Sequence, residues 1–350
     1  MAQLEATPAR PGATLDEVAR VAGVSRATVS RVVNGSPKVS VDVRRSVEKA
    51  IDRLGYVPNR AARSLVTRRS DSIAVVITEP ASRLFNDPFF PRLIRGVSTA
   101  LSARDLQLIL LMPDDDVDER RTVRYLTGGH VDGVILVSLH GDDPLPHQLA
   151  ARNIPLVVLA RPPQGVDVNY VDADNRDGAR RATAHLVDGG RTRIATITGP
   201  GDMVAGVDRL AGYRDALVDA RLAPSDDLIA PGDFTHAGGE AAMEHLLAVR
   251  PDLDAVFCAS DLMAVGALAV LQAAGRRVPE DVAVVGYDDS PIATTTRPTL
   301  TSVRQPIEEM GREMVNLLAE NVERSDRIPR RIVLATELIR RASSARRAMP

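Results

Sequence analysis

In the stretch GVSRATVSRVVNG, residues 23–35, four side chains able to reach a hydrogen-bonding partner, Arg26, Thr28, Ser30 and Arg31, share a segment whose valines fall at helical spacing. A helix over Arg26–Val33 turns Val29, Val32 and Val33 inward and leaves Arg26, Ala27, Ser30 and Arg31 outward. That outward face suits DNA. Arg pairs bidentately with guanine O6 and N7 in the major groove, while Ser and Thr hydroxyls and helix N-terminal amides take phosphate oxygens.

A second set lies far along the chain, where apolar runs end in polar residues. Asp288 closes the run VAVVGYDD (282–289) and can accept two hydroxyl hydrogen bonds, and Arg209 offers five donors in a planar fork. A carboxylate opposite an arginine suits vicinal hydroxyls. Phe89, Phe90 and Phe234 can give stacking faces to a sugar or a nucleobase, or equally fill a core, and Ser138, Arg161, Ser260 and Asp261 complete a candidate rim. Asp261 also reads as a first-turn helix residue, and Asp288 as a cap within Asp288-Asp289-Ser290.

Catalytic constellations do not stand out. The Gly-Pro-Gly at 199–201 lacks the GxGxxG continuation, there is no Walker or GxSxG motif, and the six histidines (130, 140, 147, 185, 236, 245) have no metal-ligand spacing. No cofactor or metal is expected. Asp288 and Asp289 as a glycoside-cleaving pair is disfavoured, because adjacent residues at a strand end point opposite ways.

The elements that must position these residues follow from local signals. Thr14-Leu-Asp-Glu17 is a capping box that starts a helix with Leu15, Val18, Ala19 and Ala22 on one stripe, and Gly23 ends it. Ser25 recaps the chain, Asn34-Gly35 stops the second helix, and Ser40–Leu54 repeats the stripe before Gly55. Three short helices of this kind form a helix-turn-helix head. Pro58 disfavours helix before it and Asn59 can cap Asn59–Leu65, a segment too short to be stable alone in water.

From Ser72 the pattern changes to apolar runs, such as IAVVIT (73–78), DGVILVSL (132–139) and AVFCAS (255–260), alternating with amphipathic helices. That is doubly wound α/β, and roughly a dozen strands exceed what one twisted sheet holds comfortably. Two sheets with a cleft between them are expected, with a chain crossover near Asn169–Asp172. The domains read as 1–57 (head), 58–71 (hinge helix and linker) and 72–350 (body). Within the body, subdomain 1 takes about 72–170 and 296–322, and subdomain 2 about 171–295 and 323–342. LTSVRQP (300–306) and the following helix are thus expected in subdomain 1, and RRIVLATELIRR (330–341) in subdomain 2.

The charge distribution agrees with that division. Residues 1–70 hold 13 Lys/Arg against 6 Asp/Glu, a balance of +7, while the remainder stands at −9. A basic head on an acidic body implies a polyanion partner for the head only. With 44% hydrophobic residues, 26% charged residues, no membrane-length apolar run, no signal-peptide core at the N-terminus and a single cysteine, Cys258, the chain reads as soluble and cytoplasmic.

TLDEVARVAGVSRATVSRVVNG, then VS at 39–40 and LGYVPNRAARSL at 54–65, resembles the lactose-repressor/galactose-repressor family of bacterial transcription regulators. The resemblance continues through RLAGY (209–213), ASDLMAVGAL (259–268), VAVVGYDD and LTSVRQP. It implies that Arg26, Ala27 and Arg31 face base edges, that Ser25, Thr28, Ser30 and Asn34 hold phosphates, and that Thr14 and Ser40 at neighbouring helix starts join the DNA-contacting set. Ala27 stands where many members carry a larger side chain and offers only an apolar contact, such as one to a thymine methyl. Asn59–Leu65 resembles the family's hinge helix, with Asn59 and Ala62 on DNA and Leu65 as the residue that wedges into the minor groove.

For the body, the resemblance implies the periplasmic-binding-protein-like fold of two doubly wound subdomains, with Arg209 and Asp288 at effector-binding positions. Ser260 stands where some sugar-responsive members carry an amide, so a simple monosaccharide is not carried over from them. The expected whole is a homodimeric repressor on a pseudo-palindromic operator, released by a sugar or oligosaccharide inducer. A purine-type co-repressor and a glycoside-acting enzyme remain the alternatives. The C-terminal tail has no leucine heptad, so no coiled-coil tetramer is expected.

Overall fold

Thr14 starts helix α1 (Leu15–Ala22) as its spacing predicts: the Glu17 amide donates to Thr14 Oγ1 at 3.3 Å and the Thr14 amide to Glu17 Oε2 at 2.7 Å. This computed structural model describes residues 13–33, 36–56, 69–113, 115–323 and 328–345, so Asn34 and the hinge positions Asn59, Ala62 and Leu65 lie outside the described residues. The chain separates into two units, residues 1–70 and 71–350.

In the first unit Gly23 ends α1 in the left-handed region at φ 68°, where a side chain would be strained. Ser25 Oγ accepts the Thr28 amide at 3.2 Å and opens α2 (Arg26–Val33). A third helix, α3 (Val41–Leu54), follows Ser40, whose side chain makes no capping bond. Val18, Ala19, Val29, Val32, Val47, Ala50 and Tyr56 close one small core between the three helices. Two bonds tie it together: Arg44 donates to the Ser36 carbonyl at 2.8 Å and the Ser46 hydroxyl to the Ala22 carbonyl at 3.3 Å.

The second unit holds two six-stranded sheets. The first is built from β1 (Ser72–Ile77), β2 (Gln107–Leu111), β3 (Gly133–Val137), β4 (Leu156–Leu159), β5 (Asn169–Ala173) and β11 (Arg331–Leu334), all parallel, in the order β11-β5-β4-β3-β1-β2. The second comprises β6 (Ile194–Ile197), β7 (Ile229–Ala230), β8 (Ala255–Cys258), β9 (Ala283–Asp288), β10 (Thr301–Arg304) and β12 (Glu337–Ile339), in the order β12-β10-β9-β8-β6-β7. In it only β12 runs antiparallel, against β10. The central strands β1, β3, β4, β8 and β9 are buried along their whole length, which is why they read as unbroken apolar runs.

The helices cover both faces of these sheets. In the first lobe they are α4 (Ala81–Asn86), α5 (Phe89–Ser102), α6 (Asp116–Thr127), α7 (Leu145–Ala150) and α12 (Ile307–Glu323), the last packed against α5 and the β3–β5 strands. The second lobe has α8 (Asn175–Asp188), α9 (Val204–Asp219), α10 (His236–Val249) and α11 (Asp261–Ala273).

The chain passes between lobes three times, after β5, after β10 and between β11 and β12, and these crossings correct three expectations. Strand β5 pairs with β4 and β11 along its length, so the whole of Asn169–Ala173 belongs to the first sheet. LTSVRQP was expected with the helix that follows it. Its strand β10 instead pairs with β9 in the second sheet, and only α12 returns to the first. RRIVLATELIRR splits: β11 joins β5 in the first sheet and β12 joins β10 in the second. Both are edge strands with no fully buried residue, β11 alternating between exposed and half-buried, so their apolar pattern carries no mark of which core each faces.

Candidate functional site

On the head, Ser25, Arg26, Ala27 and Arg31 are exposed and Thr28 and Ser30 half-buried, while Val29 and Val32 of the same helix are buried. The nearest acid to Arg26 is Asp16, at 3.7 Å, with both side chains 69% exposed. Such a pair is worth at most about 1 kcal/mol, so it is easily given up to another partner. Ser25 and Thr28 share a hydroxyl hydrogen bond of 2.9 Å beside the first amides of α2, where an anion is favoured. The Thr14 hydroxyl is already engaged in its capping box.

The cleft of the second unit lies at the carboxyl ends of the strands, where open α/β sheets bind ligands. Arg209, on the second turn of α9, is its centre. Nε donates to Asn175 Oδ1 at 2.9 Å and Nη1 to the Ala259 carbonyl at 2.6 Å, and the guanidinium lies 3.7 Å from the Tyr287 ring centroid. Asp288 Oδ1 stands 3.8 Å from Arg209 Nη1 and accepts from Gln305 Nε2 at 2.6 Å. Asn175 and Gln305 sit at two of the lobe crossings, so residues of the crossings fix both the arginine and the carboxylate. Asp172, at the end of β5, accepts from Asn175 Nδ2 at 3.0 Å and faces the same cavity.

Opposite lies an apolar wall of Phe89, Phe90, Leu159 and Met310 from the first lobe, with Phe234 from the second. Phe90 is 1% exposed and belongs to the core as well as the wall, whereas Phe89 is half-buried. Gly199 makes room for Phe234: a Cβ there would stand 2.2 Å from Phe234 Cζ. Ser138, Ala160, Phe234 and Asp288, four non-glycine residues lining the cavity, hold φ of 64°, 71°, 65° and 103°. Backbone strain of this sort persists where the surroundings over-determine it, and it gathers at ligand sites.

Burial sets the electrostatics. It pushes Asp288 well above the usual carboxylate range against the opposing charge of Arg209. Asp172 is raised to about 6 by burial, which outweighs the Ala173 amide bonded to it, and Asp87 is raised for the same reason against the Phe89 amide. Asp87, Asp172, Asp202 and Asp288 thus line one cavity with Arg209, Arg83 and Arg161, an arrangement offering both donors and acceptors.

Residues 14–59 match the family of bacterial regulatory proteins of the lacI type, and residues 183–344 match the periplasmic binding protein-like domain. The HTH-type transcriptional regulator CelR of Thermobifida fusca is 53% identical over 333 residues, 94% of this chain and 98% of that one. This chain belongs to the LacI family. A solved complex of the transcriptional regulator CelR with cellobiose is 51% identical, with a TM-score of 0.76 over 95% of this chain and all of that one. The lac repressor dimer bound to operator and the anti-inducer ONPF is 28% identical, with a TM-score of 0.83 over 95% of this chain and 99% of that one.

Of the nine residues expected at the effector site of this LacI-family chain, eight line one cavity: Phe89, Phe90, Ser138, Arg161, Arg209, Phe234, Ser260 and Asp288. Asp261 does not. It lies 1% exposed beneath the site, accepting from the Ser290 amide at 2.7 Å and the Ser302 hydroxyl at 2.6 Å, because the first turn of α11 aims it at the end of β9 and not at the opening. Ser260 caps α11 by accepting the Met263 amide at 3.2 Å. Arg161 reaches across the cleft to Asp208 at 2.9 Å.

Sequence reasoning missed Asp87, Asp172, Asn175, Gln305 and Arg92, whose Nη1 donates to the Asp288 carbonyl at 3.2 Å. No local sequence signal marks them, because Asn175 and Gln305 are brought to the site by the lobe crossings and Arg92 by its helix packing under Asp288. Among the described residues no cluster of metal-ligating side chains occurs, and no helix is long and apolar enough to cross a membrane.

Proposed function

We propose that this LacI-family chain is a cytoplasmic, homodimeric repressor whose head reads one half of a pseudo-palindromic operator and whose cleft takes a β-linked glucose disaccharide of the cellobiose class as inducer. The observation that carries this reading is the Arg209–Asp288 pair, fixed by Asn175 and Gln305 at two lobe crossings and facing an aromatic wall. Vicinal hydroxyls suit the pair, and a sugar ring face suits the wall. The likeness to CelR, solved with cellobiose, supports the choice of sugar.

Arg26, Ala27 and Arg31 act at base edges, with Ser25, Thr28, Ser30, Asn34, Thr14 and Ser40 at the phosphates. Asn59, Ala62 and Leu65 act in the minor groove of the shared operator. Catalysis is no part of this reading. Asp289, the second member of the rival carboxylate pair, is held by Arg304 at 2.7 Å and Arg341 at 2.6 Å, and it is not among the residues that line the cavity.

The test is titration calorimetry of the purified chain with cellobiose, glucose and hypoxanthine, followed by operator binding with and without whichever binds. Cellobiose binding that weakens operator affinity supports the reading. Binding of the purine alone, with tighter operator affinity, overturns it in favour of a co-repressor.

A further inference from the structure

One contact between the lobes differs from the others in chemistry. His140, in the loop after β3, places Nε2 3.1 Å from Glu79 Oε1 in its own lobe and Nδ1 2.9 Å from Asp202 Oδ2 in the other. The neighbouring Gly141 amide donates to the Asp202 carbonyl at 2.8 Å, which seats the two loops against each other. An ionised carboxylate only accepts, so both ring nitrogens are satisfied only when both carry hydrogen. A neutral ring would turn a lone pair toward one of the carboxylates.

We propose that His140 and Asp202 form a proton-gated clasp, which holds the lobes closed over the effector while the imidazole carries both protons and loosens when it carries one. The proposal rests on the cleft being the effector site.

The surrounding charges agree. Glu79 Oε1 also accepts from Ser138 Oγ and Arg83 Nη1, each at 2.6 Å, so its side chain is fixed and 3% exposed. Burial would raise Glu79, but hydrogen bonds from His140 and Ser138 and the charge of Arg83 outweigh it and hold it below its usual value. His140 is raised above 6.5, first by its bond to Glu79, against burial, and then by Asp202. Asp143, with Asp142 beside it in the same loop, and Arg83, on α4, also bear charge on this side, while Asp202 faces the ring from the second lobe.

The Glu79 contact stays within one lobe, so only the Asp202 contact separates closed from open. Closing therefore raises proton affinity. The closed form is favoured fully below the open form's value, which Glu79 already raises above 6.5, and the advantage is lost as pH rises through the closed form's still higher value. Arg161–Asp208 is a second contact between the lobes, and it is present whichever form His140 takes.

Three readouts on the full chain test this. Carbon-13-labelled histidine gives the titration of His140, assigned by the signal lost in His140→Gln. Spin labels at Arg152→Cys and Glu244→Cys report lobe separation, the native Cys258 being buried. Calorimetry gives cellobiose affinity at pH 6 and 8.5.

The expected result is a His140 titration that moves down in Asp202→Asn, lobes that open as pH rises in the wild type only, and cellobiose binding about three- to tenfold tighter at pH 6, flat in both variants. A His140 titration unmoved by Asp202→Asn, or lobe separation indifferent to pH, overturns the clasp. Absence of cellobiose binding at either pH, with titration and separation as expected, refutes the sugar assignment and upholds the clasp. Equal affinity at both pH values with an unmoved titration does the reverse.

Discussion

Arg26 and Arg209 carry the same guanidinium into opposite surroundings. The Arg26 side chain is 69% exposed with one acid at 3.7 Å, while that of Arg209 is 6% exposed and held by an amide oxygen, a carbonyl, an aromatic face and a carboxylate. A surface that must meet a polyanion leaves its donors free, so partners arrive only on binding. A pocket that must choose among small neutral ligands fixes its donors beforehand, so little ordering is left for the ligand to impose. In the head the cost of arranging the arginine falls on binding; in the cleft it falls on folding.

That comparison is broken most severely at Arg209. Arg209→Ala should leave Asp288 and Asn175 buried without their partner and cost about 3–5 kcal/mol of stability, the range for losing one member of a buried pair. Urea unfolding measures the loss, and calorimetry should show no inducer binding. Arg209→Lys should not restore it, because a point charge cannot reproduce the two directed bonds. Stability within 1 kcal/mol of wild type would mean that the pair is not assembled in folding, and the contrast with Arg26 would fail.

Asp172 sharpens the same point through pH. Its folded value, raised to about 6, lies above the ordinary 3.8, so the folded chain binds the proton more tightly than the unfolded one. Relative to the protonated state, it therefore costs nothing below about pH 4, and the penalty of burying the charge grows as pH rises through 6 and is full above it. Asp172→Asn keeps an acceptor for the Ala173 amide and removes that penalty. It should stabilise the chain at pH 8 by up to about 3 kcal/mol and by nothing at pH 4. Equal unfolding midpoints of variant and wild type at pH 8 would show that the cleft hydrates this carboxylate.

How far the two regions were legible in the sequence follows from the same difference. Thr14, Gly23, Ser25 and Gly55 announce the head's helices by signals lying within a few residues of the elements they bound. The body's strands announce themselves because burial on both faces demands unbroken apolar runs. Asn175 and Gln305 announce nothing. One reads as the first residue of a helix and the other as a linker before Pro306, and only the lobe crossings bring them, 130 positions apart, to the same guanidinium and carboxylate. The edge strands β11 and β12 misled for a related reason, since a continuous pattern through LATEL hides the crossing at Ala335-Thr336.

Arg26→Ala should act on the other side of the comparison. The expected cost is about 1–3 kcal/mol in operator binding with relaxed preference at one base position, and no change in folding stability or inducer affinity. Binding to a panel of half-site variants reads it, and uniform weakening across the panel would assign Arg26 to a phosphate. Leu65→Ala should lower both specific affinity and operator bending, measured by gel phasing.

The smallest effect is the most discriminating. Thr14→Ala removes the acceptor for the Glu17 amide and should cost about 1 kcal/mol of α1 stability, or roughly fivefold faster hydrogen exchange at its amides in the full chain. Thr14→Ser retains the hydroxyl and should restore exchange. If Thr14 also touches a phosphate, both properties follow the hydroxyl, but salt separates them: the cap is insensitive to ionic strength within α1, whereas a lost phosphate contact flattens the salt dependence of operator binding. Inducer affinity should not move in either variant. A change there would mean that a single capping bond in the head is felt in the cleft, and the two arginines would no longer answer to separate demands.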